Sequence, residues 1–135
     1  MLNNKSILIT GGTGSFGKNF VRVLLKKYPK IKKLVIFSRD ELKQFEMQQL
    51  YPANKYPNLR FFIGDIRDKD RLKFAFNDIN IIIHAAALKQ VPTAEYNPFE
   101  FIKSNIIGTQ NIIEVALEND LESVVALSTD KASSP

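Results

Sequence analysis

The sequence predicts an α/β protein of the doubly wound class, with a parallel sheet in the strand order 3-2-1-4-5. Short apolar segments alternate with segments of helical spacing along the whole chain. The apolar segments are nearly continuous, which is typical of strands covered on both faces. A glycine-rich turn follows the first of them. Strand–helix alternation with right-handed crossovers then gives a parallel sheet.

Five strands are predicted, each short and most of them rich in Ile, Val or Phe. Their expected bounds are Ser6–Thr10, Lys33–Phe37, Arg60–Ile63, Ile79–Ala85 and Ser123–Ser128. Residues 51–57, Tyr-Pro-Ala-Asn-Lys-Tyr-Pro, are predicted to form a loop because prolines bound the segment.

The first two helices are predicted from spacing and capping signals. Phe16, Phe20 and Leu24 fall at i, i+4 and i+8 in the first. The second is expected to start at Ser38, with Glu41 three residues on, which is the pattern of a capping box.

Two further helices complete the alternation. The third is predicted from about Asp68 to Phe76. The fourth starts with Asn97 as its cap, Pro98 at the first helical position and Glu100 in the first turn, and continues to about Glu118.

Composition indicates one globular domain. The chain has 135 residues and 15.4 kDa, with 44% hydrophobic and 24% charged residues, shares that are typical of a folded domain. It has no cysteine and one histidine. These counts exclude a disulfide scaffold, a cysteine nucleophile and a thiolate or multi-histidine metal site, and we expect no metal.

The charge pattern argues against nucleic-acid and membrane partners. The net charge of +5 is concentrated in the lysine-rich segment 26–33, where lysines favour the end of a helix dipole. That segment lacks interleaved aromatics beyond Tyr28, so we expect no nucleic acid. We find no signal peptide and no stretch long enough to span a bilayer, and we expect a cytoplasmic protein. Because no covering helix follows the fifth strand before Pro135, we also expect a fragment of a longer protein.

The strongest motif is Thr-Gly-Gly-Thr-Gly-Ser-Phe-Gly at residues 10–17. It lies between the first strand and the first helix, where glycines let the backbone approach a pyrophosphate and helix N–H groups bind it. This places a dinucleotide at the turn of a Rossmann-type fold; the alternative is a turn that only packs helix against strand. The predicted cofactor contacts here are Gly11, Thr13, Gly14, Ser15, Phe16 and Gly17.

The end of the second strand indicates which dinucleotide binds. Ser38 is a small donor, and Arg39 and Lys43 are two cations that we expect on one helix face. A serine with two cations suits a 2′-phosphate, which favours NADP over NAD. Asp40 leaves NAD open, and the plainer alternative is that Ser38 is a cap and Arg39 a surface charge. The predicted segment comprises Ser38, Arg39, Asp40, Glu41, Leu42 and Lys43.

The next two strand ends supply further cofactor contacts. Asp65 is predicted to accept from the adenine amino group while Ile66 packs on the ring; alternatively Asp65 only turns the chain. Small side chains at Ala85, Ala86 and Ala87 leave room for a flat cofactor. His84, which precedes them, is interpreted as a hydrogen-bonded core histidine rather than a catalyst.

These motifs together resemble the extended short-chain dehydrogenase/reductases and, within them, the inverting UDP-N-acetylglucosamine 4,6-dehydratases that open the route to pseudaminic acid for flagellin glycosylation. The similarity covers the whole chain. The segments that carry it are 38–43 (Ser-Arg-Asp-Glu-Leu-Lys), 62–65 (Phe-Ile-Gly-Asp), 85–89 (Ala-Ala-Ala-Leu-Lys), 94–98 (Ala-Glu-Tyr-Asn-Pro) and 127–132 (Leu-Ser-Thr-Asp-Lys-Ala).

The resemblance implies catalytic roles that spacing does not. It implies that Lys131 is the base at sugar C5, that Asp130 is the acid for the leaving C6 hydroxyl and that Thr129 bonds the C4 oxygen. From spacing alone these residues would be a turn with a surface lysine. The resemblance also implies that Lys89 reaches cofactor or substrate and that Asn105 supports the site; the alternatives are a solvated loop charge and a core amide.

The same resemblance implies what lies outside the chain. The oxidation step needs a Tyr-x-x-x-Lys pair, whose Tyr the resemblance places shortly after Pro135. The UDP-sugar needs a C-terminal substrate domain, which the resemblance also places outside residues 1–135. We therefore expect this chain alone to be inactive and the parent protein to form a homo-oligomer. Three alternatives remain: a dehydratase/5-epimerase of capsule or O-antigen synthesis, a redox-only nucleotide-sugar epimerase, and a non-catalytic NADP-binding module.

Overall fold

The computed structural model describes residues 2–85 and 98–127, with side chains in the second range from residue 106 onward. Five strands and four helices alternate along these residues, as predicted. In chain order they are β1 (Ser6–Thr10), α1 (Ser15–Lys27), β2 (Lys33–Ser38), α2 (Glu41–Leu50), β3 (Leu59–Ile63), α3 (Lys69–Ala75), β4 (Ile81–His84), α4 (Pro98–Glu118) and β5 (Ser123–Ala126).

The strands form one parallel sheet in the order β3-β2-β1-β4-β5, which confirms the predicted topology. The register aligns the carboxyl ends of the central strands. Thr10 lies between Phe37 of β2 and His84 of β4, and His84 lies beside Ala126 of β5. The loops that follow these strands therefore leave the sheet at one edge, where ligands of such sheets bind.

Apolar side chains of the central strands fill two cores because successive residues point to opposite faces. Ile7 and Ile9 of β1 are fully buried in one core, together with residues of α1 and α2 such as Val21 and Met47. Leu8 is fully buried in the opposite core.

The second core is covered by α3 and α4. Phe76, which caps α3, and Ile112 of α4 are at most 1% exposed. Lys69 of α3 also forms a salt bridge of 2.9 Å with Glu114 of α4. Two helices on each face give the doubly wound arrangement, and its central strands are covered as the continuous apolar runs predict.

The start of α2 differs from the prediction. Asp40, not Ser38, is the N-cap, and its carboxylate accepts a hydrogen bond of 3.0 Å from the Lys43 backbone N–H. Ser38 is instead the last residue of β2 and pairs with Ile63 of β3. The sheet extends one residue further than expected because the backbone of Ser38 remains in register with its neighbour.

The buried face of α1 differs in part from the face predicted by the spacing of its apolar residues. Leu24 is buried, but Phe16 is 44% exposed, and the residues that face the sheet beside Leu24 are Gly17 and Val21. Gly17 lies directly against the turn after β1, because a Cβ added there would meet the backbone of Gly11 and Gly12. Phe16 and Phe20 then lie at the flank and stack with ring centroids 5.7 Å apart.

The outer strand β5 remains exposed among the described residues. All four of its residues are exposed, including Val124 at 36% and Val125 at 45%. Across the described residues, none of the helices combines the length and apolarity that crossing a bilayer would need.

Candidate functional site

The glycine turn after β1 is built around a left-handed residue. Gly11 has φ of 73°, a conformation that only glycine adopts at little cost. Its N–H donates to the Phe37 carbonyl at 3.0 Å, and its own carbonyl accepts from Gly14 N–H at 3.2 Å. A Cβ on Gly17 would lie 2.5 Å from the Gly11 oxygen and 2.5 Å from Gly12 Cα. The turn therefore brings the start of α1 directly against the end of β1.

The N-terminus of α1 is left open to an anion. Its cap is Gly14, which has no side chain to accept from the first N–H groups, and its first turn contains no acidic residue. Thr13 is buried, whereas Ser15 is exposed. Because free N–H groups and the helix dipole both favour negative charge, this arrangement suits a phosphate group.

The end of β2 places Ser38 and Arg39 at the same edge of the sheet. Ser38 is 9% exposed, and Arg39 Nη1 lies 3.7 Å from Asp65 Oδ2. The prediction that Arg39 and Lys43 share a helix face is wrong. Arg39 precedes Asp40, the N-cap of α2, and therefore lies outside the helix. Lys43, like its neighbours Glu41 and Leu42, is an exposed residue in the first turn of α2.

The end of β3 holds Asp65 in a network that the sequence did not indicate. Its carboxylate accepts from the Arg67 backbone N–H at 2.9 Å and from Arg67 Nη2 at 2.7 Å. Hydrogen bonds from the Arg67 guanidinium hold the pKa of the Asp65 carboxyl below its usual value. The chain-turning role considered for Asp65 is therefore present. Arg67 follows the strand by only a few residues, but nothing in its spacing distinguishes it from a surface arginine.

Ile66 lies between the predicted site and α4. A Cβ on Gly108 would lie 2.3 Å from Ile66 Cδ1, so the isoleucine packs directly on that glycine. Gly108 and Ile112 of α4 are buried. Ala85 is 6% exposed at the end of β4.

His84 connects three elements of the fold below this edge. It is fully buried, and its ring nitrogens lie 2.6 Å from Thr10 Oγ1 and 3.0 Å from Thr109 Oγ1. A neutral imidazole has one donor and one acceptor, so one threonine accepts from it and the other donates to it. Burial lowers the pKa of His84 below 6.5. The interpretation as a hydrogen-bonded core histidine is confirmed.

Stability is expected to fall in mild acid because of His84. The unfolded chain binds a proton near pH 6.5 while the folded chain resists it, so the free energy of unfolding decreases as pH falls from about 6.5 through the folded pKa. The slope approaches about 1.4 kcal/mol per pH unit for one proton. Urea unfolding of wild type and His84→Gln between pH 5 and 7.5 measures it. Equal pH dependence in both proteins would contradict the assignment.

Several predicted residues lie outside the described part of the chain. They are Ala86, Ala87, Lys89, Thr129, Asp130 and Lys131, together with the side chain of Asn105. The described backbone ends at Leu127, whose N–H donates to the His84 carbonyl at 3.3 Å.

The parallel sheet in the order β3-β2-β1-β4-β5, with its glycine turn after β1, defines a Rossmann-type α/β fold. Residues 7–135 match the model of a family described as polysaccharide biosynthesis protein, and the chain belongs to that family.

Two named proteins are similar to this chain over its whole length. The chain is 58% identical over all of its 135 residues to a UDP-N-acetylglucosamine 4,6-dehydratase (inverting) of Campylobacter jejuni, covering 39% of that protein. It is 45% identical to a UDP-glucose 4-epimerase of Rickettsia rickettsii, with 100% of this chain and 39% of the relative covered. The resemblance to the inverting dehydratases is therefore confirmed, and the chain spans about 39% of the length of these relatives.

A solved structure shows the same architecture. The dTDP-glucose 4,6-dehydratase DesIV of Streptomyces venezuelae, solved with NAD and TYD bound, superposes with a TM-score of 0.71 at 29% identity. The match covers 88% of this chain and 38% of that one. The doubly wound arrangement is therefore shared with a nucleotide-sugar dehydratase.

Proposed function

We propose that the full-length protein carrying this chain is an NADP-dependent nucleotide-sugar dehydratase that removes water across C5 and C6 of UDP-N-acetylglucosamine and inverts C5. The observation that carries this proposal is the 58% identity over the whole chain to an inverting dehydratase. The chain is then the cofactor-binding part, residues 1–135, and the sugar-binding domain lies beyond it. We expect the chain without that domain to be inactive.

The described residues fit a dinucleotide. The open N-terminus of α1 after Gly14 suits the pyrophosphate, and the close approach at Gly17 leaves the turn compact. Ser38 and Arg39 at the end of β2 suit a 2′-phosphate, which favours NADP. We expect Asp65 and Ile66 to contact the adenine. A bound nicotinamide would supply reversible hydride transfer with the sugar, so the reaction would involve no net oxidation.

The proposed acid–base residues belong to the segment after β5. With C4 oxidised, the C5 proton is acidic, and Lys131 takes it. Asp130 donates a proton to the C6 hydroxyl, which leaves as water, and Thr129 bonds the C4 oxygen. C5 then receives a solvent-derived proton on the opposite face. The carboxyl end of β5 lies beside His84 of β4, which in turn lies beside Thr10 of β1. The end of β5 is therefore two strands from the glycine turn, at the edge where ligands of such sheets bind, which supports these roles.

We extend the proposal to the setting of the reaction. The keto-deoxy sugar formed would open the route to pseudaminic acid for flagellin, in a cytoplasmic homo-oligomeric enzyme. Lys89, Ala85–Ala87 and Asn105 would complete the contacts to cofactor and substrate.

The test incubates the full-length protein with UDP-N-acetylglucosamine in D2O and measures the mass of the product. Added cofactor should not be consumed. We expect the product to have lost one water and to have gained one deuterium at C5, because the proton delivered to C5 from the opposite face derives from solvent. Unchanged mass, or deuterium without loss of water, would contradict a dehydratase.

An epimerase is the second candidate, favoured by the 45% identity to a UDP-glucose 4-epimerase. Such an enzyme needs no acid–base pair after β5. In the same experiment it would give an isomer of the substrate with unchanged mass and no deuterium at C5.

A further inference from the structure

Gln44 is a buried polar residue that neither the motifs nor the proposed chemistry uses. It lies on α2 and is 2% exposed, beside the equally buried Met47. Its side-chain amide nitrogen lies 2.8 Å from Ser38 Oγ, 3.1 Å from the Phe62 carbonyl and 3.3 Å from the Ser38 carbonyl. The amide thus reaches the ends of both β2 and β3 at the predicted cofactor edge.

The two carbonyls determine the direction of these hydrogen bonds. A carbonyl oxygen only accepts, so the amide group facing the Ser38 and Phe62 carbonyls is the NH2 of Gln44. An amide NH2 cannot accept, so Ser38 Oγ accepts at this contact. The Ser38 hydroxyl proton must therefore point away from Gln44. Within residues 2–85 and 106–127, no acceptor is bonded to that proton.

The surroundings of Ser38 favour an anion as its acceptor. The Asp40 carboxylate is occupied by the Lys43 backbone N–H at 3.0 Å, and the Asp65 carboxylate is held by Arg67 at 2.7 Å. The Arg39 guanidinium, about half exposed, follows Ser38 directly. A phosphate oxygen at this place meets one hydroxyl donor and one cation.

We infer that Gln44 is a positioning residue: it makes Ser38 a hydrogen-bond donor toward the 2′-phosphate of the cofactor and so contributes to the preference for NADP. The inference rests on the proposed function, specifically on its choice of cofactor. An acidic residue at this place would accept from the ribose hydroxyls of NAD. The Ser38 hydroxyl held by Gln44 is instead a hydrogen-bond donor, which suits a phosphate because its oxygens accept.

The test compares the dissociation constants of NADP⁺ and NAD⁺ in the full-length protein by titration calorimetry. In Gln44→Met the affinity for NADP⁺ is expected to fall about tenfold, in the range of one hydrogen bond to a charged group, with NAD⁺ changed less than about twofold. Ser38→Ala should show the same loss, and the double variant no more than Ser38→Ala alone. Gln49→Met, an exposed position of the same helix, is the matched control and should keep the wild-type preference.

The outcomes separate the inference from the proposed function. Equal losses for both cofactors, or losses that add in the double variant, mean that Gln44 has only a structural role, and overturn the inference alone. A wild-type protein without preference for NADP⁺ overturns the cofactor choice and the inference together. If Gln44→Met does not fold, Ser38→Ala is the deciding variant. An unchanged preference of Ser38→Ala for NADP⁺ over NAD⁺ would overturn the inference.

Discussion

Replacing Lys131 with methionine in the full-length protein is expected to lower the rate of water loss by about a thousandfold. The physical reason is that the C5 proton must leave before the C6 hydroxyl can, and a positioned base typically contributes 10²–10⁴-fold. In the proposed reaction, oxidation at C4 precedes this step. The variant should therefore still transfer the hydride, and reduced cofactor should accumulate on the enzyme.

Two readings from one experiment check this prediction. Product mass in D2O reports water loss and exchange at C5, and cofactor absorbance reports oxidation at C4. Lys55→Met is the control, because Lys55 is an exposed lysine of the loop between α2 and β3. If Lys131→Met released water at the wild-type rate, Lys131 would not be the base. If it failed to reduce the cofactor, the lysine would act before the C5 step.

Replacing Gly17 with alanine is expected to give the second large effect, a loss of stability of about 1–3 kcal/mol. The added Cβ would lie 2.5 Å from the Gly11 oxygen and 2.6 Å from the Gly12 carbonyl carbon. Both are backbone atoms, so the turn itself must shift. Alanine gains about 0.5–1 kcal/mol of helix propensity over glycine, which offsets only part of the clash. We also expect cofactor affinity to fall, because the shifted turn is the proposed phosphate site.

Gly14→Ala is the matched control for the turn. Gly14 has φ of −75°, and a Cβ there would meet Gly11 O at an ordinary 3.5 Å. Its stability should remain within about 0.5 kcal/mol of wild type, whereas cofactor affinity should fall because the methyl group stands at the proposed pyrophosphate site. Urea unfolding and cofactor titration measure the two effects. An unchanged affinity in both variants would indicate that the turn only packs helix against strand.

The order and approximate bounds of the elements were predictable from local patterns. The β-branched runs define the strands, and the glycine turn and cap residues such as Asp68 define where helices begin. These signals depend on a residue and its near neighbours along the chain. For the same reason the start of α2 was misplaced, because the pairing of Ser38 with Ile63 is a contact between strands that are distant in sequence.

The site was predictable in part. The glycine turn and the strand ends at Ser38, Asp65 and Ala85 meet at one edge because the topology forces them to. Gln44 was missed, although its spacing of three residues from the buried Met47 is a helical signal. A polar side chain on an apolar stripe of α2 could have been recognised as needing buried partners.

Amino-acid order alone was enough to predict the doubly wound class, the strand order, the glycine turn and the family of the chain. These follow from periodicity, from glycine's conformational freedom and from a motif string that covers the chain. Only the tertiary structure decided the direction of the hydrogen bond between Gln44 and Ser38, the capture of Asp65 by Arg67 and the burial of His84 between two threonines. The reason is that donor and acceptor roles are set by atoms on neighbouring strands and helices, whose proximity arises only when the sheet has formed.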